Sequence, residues 1–385
     1  MKKDDVKITV VTITYNLKNA GREHTFRQCV ESVHNQTYKN IEHIVVDGAS
    51  TDGSLDLIKE YADKGWIKYI SEKDSGIYDA MNKGLKLATG DYIGFLNSDD
   101  YYHDINGIQS VVDTFKSSGA DFCYADCNFV TKEGVFYGVS KPVIGSFYAH
   151  MPFSHQTLFV DTKLMRKLGG FDSDNFKNAG DYDFIIRLCM SGAKSCQNLH
   201  NFVSYRMGGL SEVKHDEGDK EVEKSFAKNY SKFYAQVNPG EMLHNLIIPV
   251  RVWEKIYNLV SDEIKKDMKR VWDNGEKIND DFVKINEIQI VHIPEKTVQQ
   301  VAQPAAQNPN NLVQKKVYLF DFLPIMKTRK RYGCERFLLF GFLPVLKIKY
   351  NNDKIKSYLF SVIPFTYTSR QKFRIFGIPL LKIGD

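Results

Sequence analysis

Two adjacent carboxylates at the end of an apolar run are the first residues in this sequence that could do chemistry. The run "YIGFL" occupies residues 92–96, and "NSDD" follows it, so that Asp99 and Asp100 lie at its tip. Carboxylates are ligands for hard divalent ions such as Mg²⁺ and Mn²⁺, which keep open positions that substrate phosphates can fill. The pair therefore predicts a metal site for a substrate that carries a diphosphate leaving group.

The other common devices for binding phosphate or activating a nucleophile do not occur in the sequence. There is no G-x-G-x-x-G after the first apolar run and no G-x-x-x-x-G-K-[ST], so dinucleotide binding and P-loop chemistry are not predicted. Neither a zinc-ligand spacing nor a G-x-S-x-G elbow is present. The six cysteines include no C-x-x-C pair, and we interpret them as reduced, mostly buried thiols of a cytosolic protein.

Apolar runs alternate with amphipathic helical patterns through the first half of the chain. Four runs, "ITVVTITY", "EHIVVDGAS", "IKYISEKD" and "DYIGFLNSDD", end in polar loops. Between them, "EHTFRQCVESVHNQ", "TDGSLDLIKEYADKG" and "GIYDAMNKGLKLATG" carry apolar residues three and four positions apart. This alternation predicts an α/β fold with a mostly parallel sheet that helices cover on both faces.

A polar side chain follows each of the four predicted strands, namely Asn16, Asp47, Asp74 and Asp99. Any one of them could simply serve a turn or cap a helix, because Asp and Asn are frequent in both places. Ligands of open α/β sheets bind beyond the carboxyl ends of the strands. The set of four therefore predicts one crevice at that edge of the sheet.

Several segments carry a family resemblance when they are taken in order. "VVTITYN", "IVVDGASTDGS", "EKDSGIYDAMNKGLKLATGDYIGFLNSDD" and "HQTLFV…GGFD…AGDYDFIIRL" resemble the family-2 glycosyltransferases of the GT-A fold, over residues 6–212. The match is to the bacterial branch that builds O-antigen, capsule and lipooligosaccharide chains. It implies an inverting transfer of a hexose or N-acetylhexosamine from a nucleotide-sugar, with a UDP-sugar as the expected donor and Mn²⁺ or Mg²⁺ as cofactor. The implied acceptor is a hydroxyl of a growing, lipid-linked surface glycan.

The resemblance also assigns residues to the donor site. Those expected to bind the nucleotide-sugar are Asn16, Asp47, Asp74, Asn82, Asn97 and Asp99. The metal is assigned to Asp99, with Asp100 assisting. Two positions depart from the family pattern, because Asn97 replaces the leading Asp of "DxDD" and Gly48 replaces the second Asp of "VDDGS". Only Asp47 is then left at that position to read the nucleobase.

The expected general base is Asp181, in "AGDYDFIIRL", which matches the Asp of the family's "ED" motif. Such a base takes the proton of the acceptor hydroxyl as that oxygen attacks the anomeric carbon. Asp183 ranks second, as a support or cap, and is also a candidate residue of the acceptor or sugar pocket. His155 and Gln156 match the family's "HQ" pair and could line the acceptor or sugar pocket. A helix N-cap for Asp181 and a structural role for His155 are the alternatives.

The composition divides the chain into four parts. The catalytic domain, 1–212, precedes a charged, helix-prone extension at 213–293 and a Pro-, Gln- and Asn-rich segment at 294–314. The latter is predicted to be a disordered linker. Residues 315–385 form a basic, aromatic tail.

The tail repeats one pattern four times, in "YLFDFLPIMK", "LLFGFLPVLK", "YLFSVIPFTY" and "RIFGIPLLK". Each repeat predicts an apolar strand, a bend and a second short strand. The tail has fifteen Lys or Arg residues and four acids, which gives it a net charge of +11 and leaves −6 for the rest of the chain. An anionic membrane surface is the predicted partner. The alternative is a small β-module that serves stability or self-association, the latter giving a homo-oligomer, and no nucleic acid is expected.

The sequence contains no recognisable signal peptide and no apolar run of the roughly 20 residues that cross a bilayer. The expected location is therefore the cytoplasm, peripheral on the inner face of the bacterial cytoplasmic membrane. Two other functions stay open. A sugar nucleotidyltransferase would normally need a basic, Gly-rich loop, and "VTITYNLKNAG" is a poor one. A non-catalytic nucleotide-sugar-binding protein would not need both Asp99 and Asp181.

Overall fold

The computed structural model describes residues 5–209, 215–233 and 246–285, and backbone strands of the tail between residues 317 and 382. The chain separates into two compact units, Met1–Thr297 and Val298–Asp385. The predicted linker, 294–314, lies outside the described residues. The four-part division of the chain therefore stays a prediction.

The strands of the first unit are β1 (Ile8–Thr14), β2 (Ile41–Asp47), β3 (Lys68–Ser71), β4 (Tyr92–Phe95), β5 (Tyr101–Tyr102), β6 (Phe122–Val130), β7 (Phe136–Ser140), β8 (Phe159–Asp161), β9 (Ser195–Arg206), β10 (Ile247–Pro249), β11 (Glu276–Lys277) and β12 (Phe282–Lys284). Its helices are α1 (Glu23–His34), α2 (Ser54–Asp63), α3 (Ile77–Leu87), α4 (Gly107–Ser118), α5 (Thr162–Lys167), α6 (Gly180–Met190), α7 (His215–Tyr230), α8 (Val250–Tyr257) and α9 (Asp262–Asp273).

The large sheet has the strand order β3-β2-β1-β4-β8-β6-β9-β5, and β7 pairs with β6. Strands β3, β2, β1 and β4 run parallel, as the sequence pattern predicts, and the α/β class is confirmed. Strand β8 then joins β4 and β6 in antiparallel fashion, while β6 and β9 are parallel. In the parallel half the register sets Thr14 beside Asp47 and Asp47 beside Ser71, so the strands end at one edge.

Helices cover both faces of the sheet because alternate strand residues point to opposite sides. In β1, Ile8 and Val10 are buried in an apolar cluster with α1 and α4. Val11, the residue after Val10, points to the opposite side and is buried in the larger cluster that includes α3 and α6. Gly84 allows α3 to lie close to β1, since a Cβ there would be 2.3 Å from Val11 Cγ1. The five described cysteines are free thiols, of which only Cys196 is partly exposed.

The extension after residue 212 belongs to this core. Helix α7 presents an apolar stripe at helical spacing, which the sequence predicts to contact the catalytic domain. Phe226 and Tyr230 are fully buried in the larger cluster, and Val222 and Phe233 are partly buried against it. The extension is not wholly helical, however, because β10, β12 and β11 form a small antiparallel sheet around α8 and α9.

The tail strands are β13 (Val317–Leu319), β14 (Leu323–Arg331), β15 (Cys334–Leu339), β16 (Leu343–Asn351), β17 (Lys354–Leu359), β18 (Ile363–Phe365), β19 (Lys372–Ile375) and β20 (Ile378–Lys382). The first six form an antiparallel meander, and β19 and β20 form a hairpin. In each repeat the proline is the second residue of the second strand, at Pro324, Pro344, Pro364 and Pro379. Both predicted strands are thus present in all four repeats, and the predicted bend between them lies outside the described residues. Within the described part of the chain, no helix has both the length and the apolar character to span a bilayer.

We expect Phe226→Ala to lower the free energy of unfolding of the first unit by roughly 3–5 kcal/mol, because the substitution empties a fully buried ring site. Urea denaturation followed by tryptophan fluorescence measures this, since Trp66, Trp253 and Trp272 all lie in that unit. Leu199→Ala is the control, because Leu199 is 87% exposed and its truncation should change stability by less than about 0.5 kcal/mol. Equal midpoints for the two variants would contradict the placement of α7 in the core.

Candidate functional site

A cavity of about 890 Å³ opens at the edge where β1, β3 and β4 end. Its walls come from the loops after these strands, the turn His155–Thr157, the start of α6 and the first turns of α7. Six of the residues that the sequence singles out line it, namely Asp74, Asn97, Asp99, His155, Gln156 and Asp181. The predicted crevice therefore exists, although not every predicted residue reaches it.

The two carboxylates after β4 point in different directions. The Asp99 side chain lines the cavity, is 20% exposed, and lies 3.8 Å from the guanidinium of Arg22 (Oδ2 to Nη1). Asp100 is only 1% exposed and does not line the cavity. The structure therefore presents one of the two expected metal ligands, Asp99, and encloses the other.

Three donors hold the enclosed carboxylate of Asp100. Its Oδ1 accepts a hydrogen bond from the backbone N–H of Arg206 at 2.8 Å, and its Oδ2 accepts one from Gln156 Nε2 at 2.9 Å. Asn97 Nδ2 donates to the same Oδ2 at 3.2 Å. Burial, together with the nearby charge of Asp99, raises the pKa of Asp100 to about 7. Asp100 thus ties the end of β4 to the end of β9 and to the His155–Thr157 turn.

Arg206 is a site residue that the sequence analysis missed, since an arginine at the end of a strand has no distinctive local signal. Its Nε donates to the carbonyl of Asp99 at 3.0 Å, its Nη1 to the carbonyl of Lys132 at 2.7 Å, and its Nη2 to Gln28 Oε1 at 2.7 Å. The side chain also lines the cavity. One cation therefore fixes the backbone of the "NSDD" loop and adds positive charge to the same wall.

Asp181 is the second residue of α6, and its carboxylate is held from both sides. Its Oδ2 lies 3.1 Å from His155 Nδ1, and its Oδ1 accepts a hydrogen bond from the hydroxyl of Tyr78 at 2.9 Å. Burial by itself would raise the pKa of Asp181, but these bonds, led by that from His155, leave the pKa below its ordinary value. Burial would lower the pKa of His155, yet Asp181 holds it above 6.5. The two side chains form an ion pair at the cavity wall when His155 is protonated.

The second ring nitrogen of His155, Nε2, is buried and makes no hydrogen bond within the part of the chain that the structure describes. A purely structural histidine would normally have both ring nitrogens satisfied.

The alternative of a helix N-cap for Asp181 does not apply either. The N-cap residue of α6 is Ala179, and Asp181 lies inside the helix.

A carboxylate of the extension satisfies the backbone amides in front of α6. Glu221, on α7, accepts hydrogen bonds from the N–H groups of Lys177 at 2.9 Å, Asn178 at 2.7 Å and Ala179 at 2.9 Å. The first N–H groups of a helix have no partner within the helix, and a carboxylate there is also favoured by the helix dipole. Glu221 therefore fixes the backbone that carries Asp181, and no local signal around residue 221 indicates this long-range contact.

Asp183 lies two residues further along α6 and faces away from the cavity. It is fully buried and binds Arg187 Nε at 2.8 Å, Lys228 Nζ at 3.0 Å and Asn229 Nδ2 at 2.9 Å. Its expected place in an acceptor or sugar pocket is therefore wrong, because an α-helix turns residues i and i+2 to different faces. Its contacts instead join α6 to α7.

Asp47 and Asn16 also lie outside the cavity, although each follows a strand as expected. Asp47 is fully buried and accepts hydrogen bonds from the backbone N–H of Ser50 at 2.9 Å and from the hydroxyl of Ser71 at 2.6 Å. Asn16 Oδ1 accepts from the N–H of Thr51 at 3.0 Å. Both side chains are engaged in shaping the loop after β2, so neither faces a ligand in the cavity.

Asn82 is likewise engaged within the protein. Its Nδ2 donates to the carbonyl of Phe171 at 2.8 Å, and its Oδ1 accepts from the N–H of the same residue at 2.9 Å. It therefore joins α3 to the loop before α6 and does not line the cavity. Asp74 does line it, as does Tyr15, whose 63% exposed ring the sequence analysis overlooked.

The donor set suits a divalent ion that arrives with a phosphorylated substrate. Among the described residues, no three His, Cys, Asp or Glu side chains come together as a complete ligand group. Mg²⁺ typically keeps several waters and binds through one or two carboxylates plus substrate phosphates. Asp99 presents one such carboxylate to the cavity, so it fits this mode of binding. The carboxylate of Asp100, by contrast, already accepts hydrogen bonds from donors within the protein.

The ion pair can be tested by titrating the imidazole. We expect NMR of ¹⁵N-labelled histidine to give His155 a pKa above 6.5 in the wild type and below 6.5 in Asp181→Asn. The sign reverses because burial, which lowers the pKa and is its largest influence, is then opposed only by the weaker effect of Asp100. His34 is the control, since its pKa is lowered by burial far from Asp181 and should not change.

The same pair makes stability depend on pH. A histidine whose folded-state pKa is raised contributes stability fully below 6.5 and loses it as the pH rises through the folded-state value. The destabilisation caused by His155→Gln should therefore be larger at pH 5.5 than at pH 9, as measured by urea denaturation. An equal loss of unfolding free energy in His155→Gln at pH 5.5 and at pH 9 would contradict the ion pair.

Several known proteins are similar in sequence to this chain. A sequence model described as "Glycosyl transferase family 2" matches residues 9–172. Glycosyltransferase GlyA of Streptococcus pneumoniae is 32% identical over 169 residues, which are 43% of this chain and 23% of that protein. The chain thus spans less than a quarter of this relative. A PGL/p-HBAD biosynthesis glycosyltransferase of Mycobacterium bovis is 28% identical over 59% of this chain and 85% of its own length.

One solved structure, that of Staphylococcus aureus TarS 1-349 in complex with UDP-GlcNAc, aligns with a TM-score of 0.47 and 14% identity, covering 75% of this chain and 99% of that one. A further relative is an uncharacterized glycosyltransferase of Mycobacterium tuberculosis, 31% identical over 197 residues that make up 48% of this chain and 69% of that protein. This chain covers more than two thirds of that relative at over 30% identity, and together with the family model this settles the family. The chain belongs to glycosyltransferase family 2.

Proposed function

We propose that this chain is a metal-assisted, inverting glycosyltransferase that moves a hexose or N-acetylhexosamine from a UDP-sugar to a hydroxyl group of a lipid-linked glycan. The observation that carries the proposal is that Asp99 and Asp181 reach one cavity from different elements. Asp99 lies in the loop after β4, and Asp181 is the second residue of α6. Two carboxylates so placed can serve the two ends of a single displacement, the departing diphosphate and the attacking hydroxyl.

The leaving-group side of the cavity is assigned to the tip of β4. When bound, Mn²⁺ or Mg²⁺ supplies positive charge that stabilises the developing charge on the departing phosphate. Asp99 would hold this ion, and the guanidinium groups of Arg22 and Arg206 add charge at the same wall. Charge-assisted hydrogen bonds from arginine suit phosphate oxygens. The exposed ring of Tyr15 provides a flat surface for the nucleobase.

Asp181 is the proposed base, and its neighbours keep it ionised and oriented. His155 and Tyr78 each hold one carboxylate oxygen, so they act as positioning residues. A carboxylate of low pKa is a weak base in the resting site. It is nevertheless sufficient if the hydroxyl loses its proton late, as its oxygen bonds to the anomeric carbon and becomes more acidic.

The acceptor is assigned to the part of the cavity that α7 forms. Val222 on that helix and Met151 in the loop before β8 present apolar surface there, and Met151 is 37% exposed. Apolar surface beside Asp181 suits the face of a sugar ring better than a diphosphate. Glu221 sets the position of this wall relative to the base through the amides in front of α6.

The test is hydrolysis and transfer by the purified full-length chain with UDP-glucose, UDP-galactose and their N-acetyl analogues, in Mn²⁺, Mg²⁺ or a chelator. A transferase releases UDP slowly without acceptor, a nucleotidyltransferase releases pyrophosphate from a sugar phosphate and UTP, and a binding protein releases neither. We expect Asp99→Asn to abolish metal-dependent release, because it removes the carboxylate that the ion needs. Asp181→Asn should keep donor affinity and lose transfer by roughly 10²–10⁴-fold.

Asp113→Asn is the matched control, since Asp113 is an exposed carboxylate on α4 outside the cavity and its loss should leave turnover unchanged. Full activity of Asp99→Asn in the presence of chelator would contradict the role of the metal. A parallel loss of donor affinity and rate in Asp181→Asn would assign that residue to the donor instead.

The tail is proposed to hold the enzyme on an anionic membrane, at the inner face of the bacterial cytoplasmic membrane. Its register sets Arg329 opposite Arg336, and Arg336 opposite Lys347, across β14, β15 and β16. Lys349 is likewise opposite Lys356 on β17. Like charges at directly opposite positions repel. Such rows of cations are favoured when the sheet meets a negatively charged surface, where each basic residue adds about 1 kcal/mol.

We expect the triple variant Arg329→Gln/Arg336→Gln/Lys347→Gln to lose most of its cosedimentation with phosphatidylglycerol vesicles and to keep donor hydrolysis. Its control is Lys59→Gln/Lys163→Gln/Lys167→Gln, which removes the same charge from exposed positions of the first unit. Equal vesicle binding by the two triples would show that the row is not the anchor. A change in sedimentation coefficient without a change in vesicle binding would favour self-association.

A further inference from the structure

Gly48 and Asp74 compete for one small volume at the edge of the cavity. Gly48 directly follows β2, and Asp74 lies three residues after the end of β3. A Cβ placed on Gly48 would be 2.5 Å from Asp74 Oδ2 and 3.2 Å from Tyr15 Cδ2. Real Cβ atoms essentially never approach another heavy atom as closely as 2.5 Å. The Asp74 carboxylate therefore occupies the space into which a side chain at residue 48 would project.

The backbone at Gly48 does not itself require glycine. Its φ is not among the positive values that favour this residue, unlike that of Gly53 (84°) in the same loop. The missing side chain thus has a steric explanation, which is the proximity of Asp74. This explains why Gly48 replaces the second Asp of the "VDDGS" pattern. The carboxylate of Asp74 reaches the same point from the end of the neighbouring strand, β3.

The Asp74 carboxylate has one oxygen free for a ligand. Its Oδ1 accepts a hydrogen bond from the N–H of Gly76 at 3.0 Å. Its Oδ2 accepts none from the residues that the structure describes. Asp47, by contrast, is buried and saturated with internal donors, so it cannot reach a nucleobase without losing them. Of the two acids, only Asp74 lines the cavity, and the exposed ring of Tyr15 lies beside it.

We propose that Asp74, in the space left by Gly48, reads the ring N–H of the donor's nucleobase and thereby selects uracil. This inference rests on the proposed function and names the residue pair that sets nucleotide specificity. An ionised carboxylate can only accept hydrogen bonds. Uracil N3 carries a hydrogen, whereas the corresponding N3 of cytosine carries a lone pair that the carboxylate repels. Guanine also carries a ring N–H, so GDP separates recognition of that group from recognition of pyrimidine size.

The experiment measures the affinities of the full-length chain for UDP, CDP, GDP and ADP by calorimetry with Mn²⁺ present. We expect the wild type to prefer UDP over CDP by roughly 10- to 100-fold, as for one hydrogen bond to a charged group plus the avoided repulsion. Asp74→Asn should lose this preference, because its amide can also donate to cytosine N3. Asp113→Asn is the control and should keep it.

A double-mutant cycle tests whether Gly48 acts through Asp74. Gly48→Ala should weaken UDP binding in the wild type and add little in the Asp74→Ala background, because the displaced carboxylate is then already absent. The exchange Gly48→Asp/Asp74→Gly should recover part of the UDP preference, since it supplies a carboxylate to the same volume from β2. Thermal unfolding of each variant identifies any that fail to fold.

The outcomes separate this inference from the proposed function. If UDP and CDP bind and the Asp74→Asn and Gly48→Ala variants keep the wild-type ratio, the base is read elsewhere, and the inference is wrong while the transferase stands. An additive cost of Gly48→Ala in the Asp74→Ala background also contradicts it. If no nucleoside diphosphate binds the wild type, the proposed function fails and the inference fails with it.

Discussion

Two adjacent carboxylates repel each other strongly if both are charged and buried away from water. The arrangement of this site follows from the different environments that the chain gives to the two. Asp100 is taken into the protein and given three hydrogen-bond donors, while Asp99 is left at the cavity wall. The donors to Asp100 come from β9, from the His155–Thr157 turn and from Asn97. The buried acid therefore fixes two walls of the cavity, the end of β9 and the His155–Thr157 turn, relative to the loop that carries the exposed Asp99.

A second, independent constraint operates at the start of α6. A helix begins with backbone N–H groups that need partners, and here the partner is a carboxylate from another helix, Glu221. The side chain of Asp183 joins the same two helices through Lys228 and Asn229. The acid that faces the cavity, Asp181, is thus positioned by acids that do not face it. In both clusters, hydrogen-bond donors within the protein hold a buried acid, Asp100 or Asp183. The neighbouring acid, Asp99 or Asp181, lines the cavity.

The sequence was sufficient to predict the parallel half of the sheet, since near-continuous apolar runs and helical spacing are local signals. Asp99 and Asp181, which follow an apolar strand and begin an amphipathic helix, both line the cavity, and their roles stay predictions. The sequence failed for Asp47 and Asn16, which the strand-end rule treats as equivalent to Asp74. That rule fixes the edge of the sheet but not the direction in which each side chain turns, and Asp47 turns toward Ser50 and Ser71. The roles of Arg206 and Glu221 depend on contacts across many residues, which no local pattern records.

The contact between Glu221 and the start of α6 has a consequence for the order of events during synthesis. Asp181 leaves the ribosome about forty residues before the carboxylate that completes its helix, and the two are 42 to 44 residues apart at the contact itself. The residues matched by the family model, 9–172, emerge earlier still. A nascent chain that ends before residue 221 contains Asp99 and Asp181 but lacks the carboxylate that binds the amides in front of α6. The wall that carries Asp181 is therefore complete only when α7 has been made and has folded back against α6.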